Sequence, residues 1–291
     1  MAFKKLKEHS ILISVIIPCF NQGAYIQDAI DSVKAQTYTD WEVIIINDGS
    51  DDLETIHVLH RLADEGFAVI NIKNSGVSAA RNTGINIAKG EYLLQLDADD
   101  KIAPEYLEEA VKILLKKPEV KLVYCGCEYF GAQTGLSPVP SFSLKGMLFE
   151  NLIFNAALIR KIDFNKAGGF DEEFLAGWED WEFWLRYIKT EEEVYKLPAT
   201  FFYYRIKADS RNSAIKDERR KVCEQELYKK HINLFLKHNP KPISALQDCT
   251  FYKSEYEKLE IYKLQLHRSL SYRLGNFILT PLKFIKKNWK K

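Results

Sequence analysis

Short runs of consecutive apolar residues alternate along the first hundred positions with longer runs whose apolar residues recur every three or four. Ser14-Val15-Ile16-Ile17 and Val43-Ile44-Ile45-Ile46 have almost no polar face, as expected of parallel strands covered on both sides by helices. Between them Ile26, Ala29, Ile30 and Val33 predict a helix over Tyr25 to Gln36 with one buried stripe. Leu53 to Glu65 continues as helix, Ala68 to Ile72 and Tyr92 to Leu96 as strands, and about Pro104 to Lys116 as helix, with proline in a tolerated first-turn position. The first half therefore predicts an α/β open sheet.

Past Leu122 the rhythm loosens. The pattern gives a strand over Leu122 to Phe130, a stretch rich in Gly, Ser and Pro, a helix after Trp178, and strands over Val194 to Leu197 and Phe201 to Ile206. From about Asn212 the chain reads as charged helix, and Leu259, Tyr262, Leu266, Leu270 and Leu274 keep helical spacing. No internal repeat is present.

Composition narrows the class. At 291 residues, 46% of them apolar and 28% charged, the chain can bury a substantial core as one large domain or two ordinary ones. Its net charge of +1 gives no field for coating nucleic acid, so no nucleic-acid partner is expected. The balance is uneven, because from Ile261 to Lys291 there are eight Lys or Arg and no acid. Residues 1–260 are accordingly net acidic. Five cysteines (Cys19, Cys125, Cys127, Cys223, Cys249) lack zinc-finger or redox spacing and fit a reducing, cytoplasmic compartment. The basic opening at Met1 to Lys7 precedes too short an apolar run for a signal peptide, and no apolar run reaches the roughly 20 residues that span a bilayer.

Ligands of open α/β sheets bind beyond the carboxyl ends of the strands. Those positions here hold Pro18-Cys19-Phe20-Asn21, Asn47-Asp48-Gly49-Ser50-Asp51-Asp52 and Asp97-Ala98-Asp99-Asp100. Taken alone, Asp48 reads as a turn residue. Asp97 and Asp99 are different: two carboxylates one small residue apart at the end of a buried strand repel unless a cation or hydrogen-bond donors compensate, which favours metal or nucleotide binding over capping. Asn74 to Gly84 is a small-residue helix start whose one Arg, Arg81, suits an acid or a diphosphate.

In order and combination these stretches resemble the family 2 glycosyltransferases of the GT-A fold. The resemblance is carried by Val15 to Asn21, Ile46 to Asp52, Gly76 to Gly84, Gly90-Glu91-Tyr92, Leu96 to Asp100, Gly168 to Asp171 and Glu179 to Arg186, and it covers roughly residues 11–213. It implies a Rossmann-like, mostly parallel central sheet flanked by helices and followed by a helical C-terminal extension. The catalytic domain would occupy residues 1–211, with a donor half at about 11–130 and an acceptor half at about 131–211, and the extension residues 212–291. By the same resemblance Pro18, Asn21, Asp48, Arg81 and Asp97 would bind the nucleotide of a nucleotide-sugar donor, most readily a uridine diphosphate sugar. Asp97 and Asp99 would bind a divalent cation, Mn²⁺ or Mg²⁺.

Asp180 resembles the family's base, which implies inversion at the anomeric carbon. Its neighbour Glu179 is second choice, and capping of a helix starting near Trp181 is the plain structural alternative for Asp180. Trp178, Trp181 and Trp184 recur every three residues, mostly as core, with Trp178 the one expected to face an acceptor. Arg205 and Lys207 fall where members carry a group that closes over the diphosphate. The acceptor would be a saccharide or a lipid-linked saccharide of cell-surface polysaccharide assembly. Two alternatives stay open: a nucleotidyltransferase, although Pro18 to Gly23 lacks that class's basic Gly-rich loop, and a non-catalytic sugar-nucleotide-binding module, which has no need of Asp180. The apolar and Lys-rich segment 262–291 suits a peripheral location on the inner face of the membrane, or else a solvated or homodimer-forming helix.

Overall fold

The computed structural model describes residues 11–137, 140–174, 177–207 and 216–238, together with Lys258. Four strands, β1 (Ile13–Cys19), β2 (Trp41–Asp48), β3 (Ala68–Ile72) and β4 (Tyr92–Gln95), lie in the order β3-β2-β1-β4, all parallel. Helix α1 (Gly23–Lys34) packs its stripe of Ile26, Ala29, Ile30 and Val33 on Ile13, Val15 and Ile17. Helix α2 (Leu53–Asp64) starts at Asp52, whose carboxylate accepts from the Thr55 N–H at 2.7 Å, ordinary N-cap chemistry. Helix α3 (Val77–Ile87) covers the opposite face, where Ile16 and Ile46 point. It lies so close that a Cβ on Gly84 would stand 2.6 Å from Ile16 Cγ2 and 3.2 Å from Ile46 Cγ1.

The second half extends the same sheet. After β5 (Lys101–Ile102) and α4 (Tyr106–Lys116) come β6 (Leu122–Gly131), β7 (Gly135–Leu136), β8 (Leu158–Arg160), α5 (Lys161–Ala167), α6 (Glu179–Tyr187), β9 (Val194–Ile206), α7 (Lys216–Lys230) and α8 (Ile232–His238). Strand β8 enters antiparallel between β4 and β6, and β9 runs parallel to β6 and antiparallel to β5. Most of the paired length is parallel. The two strands expected over Val194 to Leu197 and Phe201 to Ile206 form one, and the break between them in the sequence holds Pro198, which has no N–H to give and falls where the β6–β9 register shifts. Strand β8 and helix α5 arise in the stretch where the pattern suggested no element, being three and seven residues long.

Cys19, Cys125 and Cys127 are free and buried, Cys223 is buried, and Cys249 lies outside the described residues. The chain divides into two compact units, Met1–His231 and Ile232–Lys291. Helix α7 therefore belongs with the first unit although it follows position 211, and its Cys223 and Leu227 are buried. Segment 262–291 lies outside the described residues. Among those described, no helix is long and apolar enough to cross a membrane.

Candidate active site

The carboxyl ends of β1, β2 and β4 open on one cavity of about 440 Å³, lined among others by Pro18, Asp48, Gly76, Arg81, Asp97 and Asp99. Asp48, buried at the tip of β2, accepts from the Ser75 and Gly76 N–H groups at 2.7 and 3.0 Å. It fixes the turn into α3, where Gly76 takes φ +89°. Asn21 stands behind this rim at φ +52°. Its amide donates to Asp51 Oδ1 at 2.6 Å and accepts from the Asp51 N–H at 3.0 Å, which ties the loop after β1 to the loop after β2 without placing Asn21 in the cavity lining.

A second cavity, of about 480 Å³, lies beside the first. Arg81, Asp97 and Glu179 line both. The Arg81 guanidinium, from the first turns of α3, is 2% exposed and donates to Asp97 Oδ1 at 2.7 Å and to Glu179 Oε1 at 2.6 Å. Burial alone would lower its pKa, but Asp97 and Glu179 more than offset this and hold the group charged. Its face also covers the Phe170 ring, 5.4 Å from the centroid.

Acids outnumber bases at the end of β4. Asp100 is buried, accepts from the Arg205 N–H at 2.9 Å, and is pushed well above the usual carboxylate range by burial and by Asp97 and Asp99. Asp99 pairs with Lys207 at 2.6 Å. Lys207 also reaches Gln22 at 2.9 Å, and Arg205 donates to the Asp99 carbonyl at 2.8 Å and pairs with Asp28. Neither basic group is in the lining of the first cavity, but both contact Asp99, which is. Among the described residues no cluster of three or more His, Cys, Asp or Glu is arranged as a metal cage. Asp97 and Asp99, each with one carboxylate oxygen engaged by a cation, fit a divalent ion that draws its remaining ligands from phosphate oxygens and water.

The second cavity is headed by the start of α6. Gly177 at φ +100° and Trp178 at φ +62° turn the chain sharply there, and a tryptophan held in the left-handed region is strain of the kind that functional sites retain. The turn exposes the Trp178 ring to the cavity, whereas Trp181 and Trp184 are buried and Trp181 Nε1 donates to the Met147 carbonyl at 2.6 Å. Glu179 is engaged by Arg81. Asp180 is recessed but open to the cavity, accepting from Asn151 Nδ2 at 2.9 Å and from the Trp181 N–H at 2.8 Å. Burial, and then the charge of Glu179, push its pKa up to about 7. Trp178 holds the cap position of α6, so Asp180 lies inside the helix's first turn.

The model of the family described as glycosyl transferase family 2 matches residues 14–176, and that of glycosyltransferase like family 2 matches residues 140–248. An uncharacterized glycosyltransferase of Rickettsia prowazekii is 31% identical over 79% of this chain and 73% of its own length. The chain belongs to the family 2 glycosyltransferases. It spans 61% of a 34% identical relative from Rickettsia typhi, and 12% of the chondroitin synthase of Pasteurella multocida, which is 38% identical over 39% of this chain. The fold is that of a mannosyltransferase of Pyrobaculum calidifontis solved with GDP-Man and Mn²⁺ (TM-score 0.61, 18% identity, 98% of this chain and 89% of that one). S. aureus TarS 1–349, solved with UDP-GlcNAc, is also similar (TM-score 0.60, 18% identity, 79% of this chain and 73% of that one).

Several lining residues of this family 2 member carried no signal in the sequence. Asn151, Phe154 and Asn155 come from the irregular segment before β8, and Tyr129 and Tyr204 from the ends of β6 and β9. The loop lacks periodicity and the two tyrosines sit on separate strands, so only the folded chain brings these residues together. Glu182 lies in the stretch Glu179 to Arg186, where the sequence assigns it no role. It is fully buried and accepts from Arg186 at 2.7 Å, with Lys230 at 2.9 Å and His231 at 3.0 Å on its other oxygen. Burial would raise its pKa, but these three donors together hold it far below the usual range and fasten the end of α7 to α6.

Proposed function

We propose that the chain is an inverting, metal-dependent glycosyltransferase that moves a sugar from a nucleoside-diphosphate sugar, a uridine diphosphate sugar first, to a hydroxyl of a saccharide or lipid-linked saccharide in cell-surface polysaccharide assembly. One observation carries this reading: two cavities share the Arg81, Asp97 and Glu179 wall, with strand-end acids and basic groups on one side and Asp180 with aromatic rings on the other. That arrangement suits a reaction in which a donor and an acceptor meet at a partition.

In this reading Pro18, Asp48 and Arg81 shape the nucleotide's side, with Asn21 holding the two loops that flank it. Arg205 and Lys207 close over the diphosphate. Asp97 and Asp99 would hold Mn²⁺ or Mg²⁺, which when bound stabilises charge on the diphosphate leaving group. Asp180 accepts the proton of the acceptor hydroxyl at Oδ1 or Oδ2, and its raised pKa matches that task near neutral pH. Asn151 orients the carboxylate. Glu179, neutralised by Arg81, is poorly placed to take the same proton. Attack by the acceptor oxygen opposite the leaving group, with one base and no covalent intermediate, inverts the anomeric centre.

A nucleotide-sugar panel with Mn²⁺ or Mg²⁺, read by release of nucleoside diphosphate with and without a saccharide acceptor, tests the reading. Acceptor-dependent release is expected. Pyrophosphate release from a nucleoside triphosphate and sugar phosphate supports a nucleotidyltransferase instead, and binding without turnover supports the non-catalytic module.

A further inference from the structure

We propose that the cavity headed by Asp180 selects an uncharged sugar as acceptor and rejects sugars that carry a carboxylate or a phosphate. The inference rests on reading that cavity as the acceptor site. Its apolar walls are the faces and edges of Tyr129, Phe154, Trp178, Phe202 and Tyr204, and flat aromatic surface suits the C–H faces of a pyranose ring. Its charged walls all lean one way. Asp97, Asp100, Glu150, Glu179 and Asp180 line it against a single cation, Arg81, and that guanidinium is already spent on Asp97 and Glu179 at 2.7 and 2.6 Å.

No other basic side chain lines this cavity among the described residues. Lys207 and Arg205 pair with Asp99 and Asp28, and Lys196, which does not line the cavity, donates to the carbonyl of the lining residue Pro140 at 3.4 Å and stands 5.9 Å from the centroid of the Tyr124 ring. Glu150 is exposed at the edge of the lining and carries no ion pair among the described residues. An anionic sugar would leave water for a site whose described lining offers no unpaired basic side chain and would meet the like charge of Glu150, whereas a neutral sugar offers hydroxyls to Asn151 and to the carboxylates, which are good acceptors.

The test uses sugar pairs that differ at one carbon, the methyl β-glycosides of glucose and glucuronic acid and of galactose and galacturonic acid, with their disaccharide homologues, at pH 8. Saturation-transfer NMR competition on the full chain gives the ratio of dissociation constants. The neutral member is expected to bind at least ~10-fold more tightly, the scale of one partly screened like charge. Glu150→Gln should narrow the ratio and Glu150→Lys should narrow it further or reverse it, which a loss of stability alone would not do. Equal or tighter binding of the uronides, a ratio that neither Glu150 variant moves, or no binding of either sugar overturns the proposal. Nucleotide-sugar turnover is measured separately on the same protein. Turnover without preference sinks the specificity alone, and preference without turnover sinks the transferase reading while the specificity stands.

Discussion

Asp180 carries opposite demands at the residue scale. Recessed beside Glu179, its carboxyl is pushed up to about 7, so it is ionised only at neutral pH and above, where a base is needed. The same shift works against the fold. An acid whose folded pKa exceeds its unfolded value keeps its proton longer in the native state, so stability falls as pH rises from the ordinary carboxylate range through about 7. Asp180→Asn should therefore lower kcat by at least ~10²-fold with donor affinity retained, and remove an acid limb near pH 7 from the rate profile. It should also melt higher than the native chain at pH 8, with the difference fading by pH 4.5. Calorimetric scans across pH check the second effect independently of the assay. Transfer at native rates by this variant would move the base to another group.

Asp99 makes a different case, because its partner Lys207 already neutralises it at 2.6 Å. A nucleotide diphosphate would compete for that lysine and free the carboxylate for a cation. Asp99→Asn should lower Mn²⁺-dependent affinity for the nucleotide while leaving the melting temperature nearly unchanged. Titration of nucleotide with and without Mn²⁺ measures this, and unchanged metal-dependent affinity would remove Asp99 from the cation's ligands.

Elements differ in how plainly the sequence announces them. Strands β1 and β2 and helix α1 were legible because a strand buried on both faces and a helix buried along one stripe each impose a pattern over seven or more residues. Strand β8 and helix α5 were not, since three and seven residues are too few to show a period. The site divides in the same way. Pro18, Asp48, Asp97 and Asp99 are strand-end residues, readable once the strands are, and all line the first cavity. Asn151, Phe154 and Asn155 depend on where an irregular loop lies, which no local pattern encodes. Asn21, expected to bind the nucleotide, ties together the loops after β1 and β2. The contact that seats α3, and with it Arg81, is a single glycine. Gly84→Ala puts a methyl 2.6 Å from Ile16 Cγ2, an overpacking that costs about 1–3 kcal/mol. Denaturant unfolding should show that loss, with nucleotide affinity falling as α3 shifts. A variant as stable as the parent would mean that the sheet yields freely there.

At the scale of the whole molecule, charge separates along the sequence. Residues 1–260 are net acidic and would be repelled by an anionic surface, so attraction to such a surface must come from the last thirty positions. There Phe277, Ile278, Leu279, Leu282, Phe284 and Ile285 alternate with Lys283, Lys286, Lys287, Lys290 and Lys291, without an acid. Each basic residue near an anionic leaflet contributes about 1 kcal/mol at ordinary ionic strength, and apolar neighbours add burial. Pro281 interrupts the helical spacing of the apolar positions in the sequence. Composition is therefore the basis of the expectation, and the variant should change charge alone. With Lys283, Lys286, Lys287 and Lys290 all replaced by Gln in the full chain, co-sedimentation with phosphatidylserine vesicles should weaken by about 10²–10³-fold at low salt. The native chain should lose most of its binding at high salt, where the Debye length shrinks to about 3 Å. Binding that ignores both the substitutions and the salt would place any membrane contact elsewhere and leave a lipid-linked acceptor to reach the enzyme from solution.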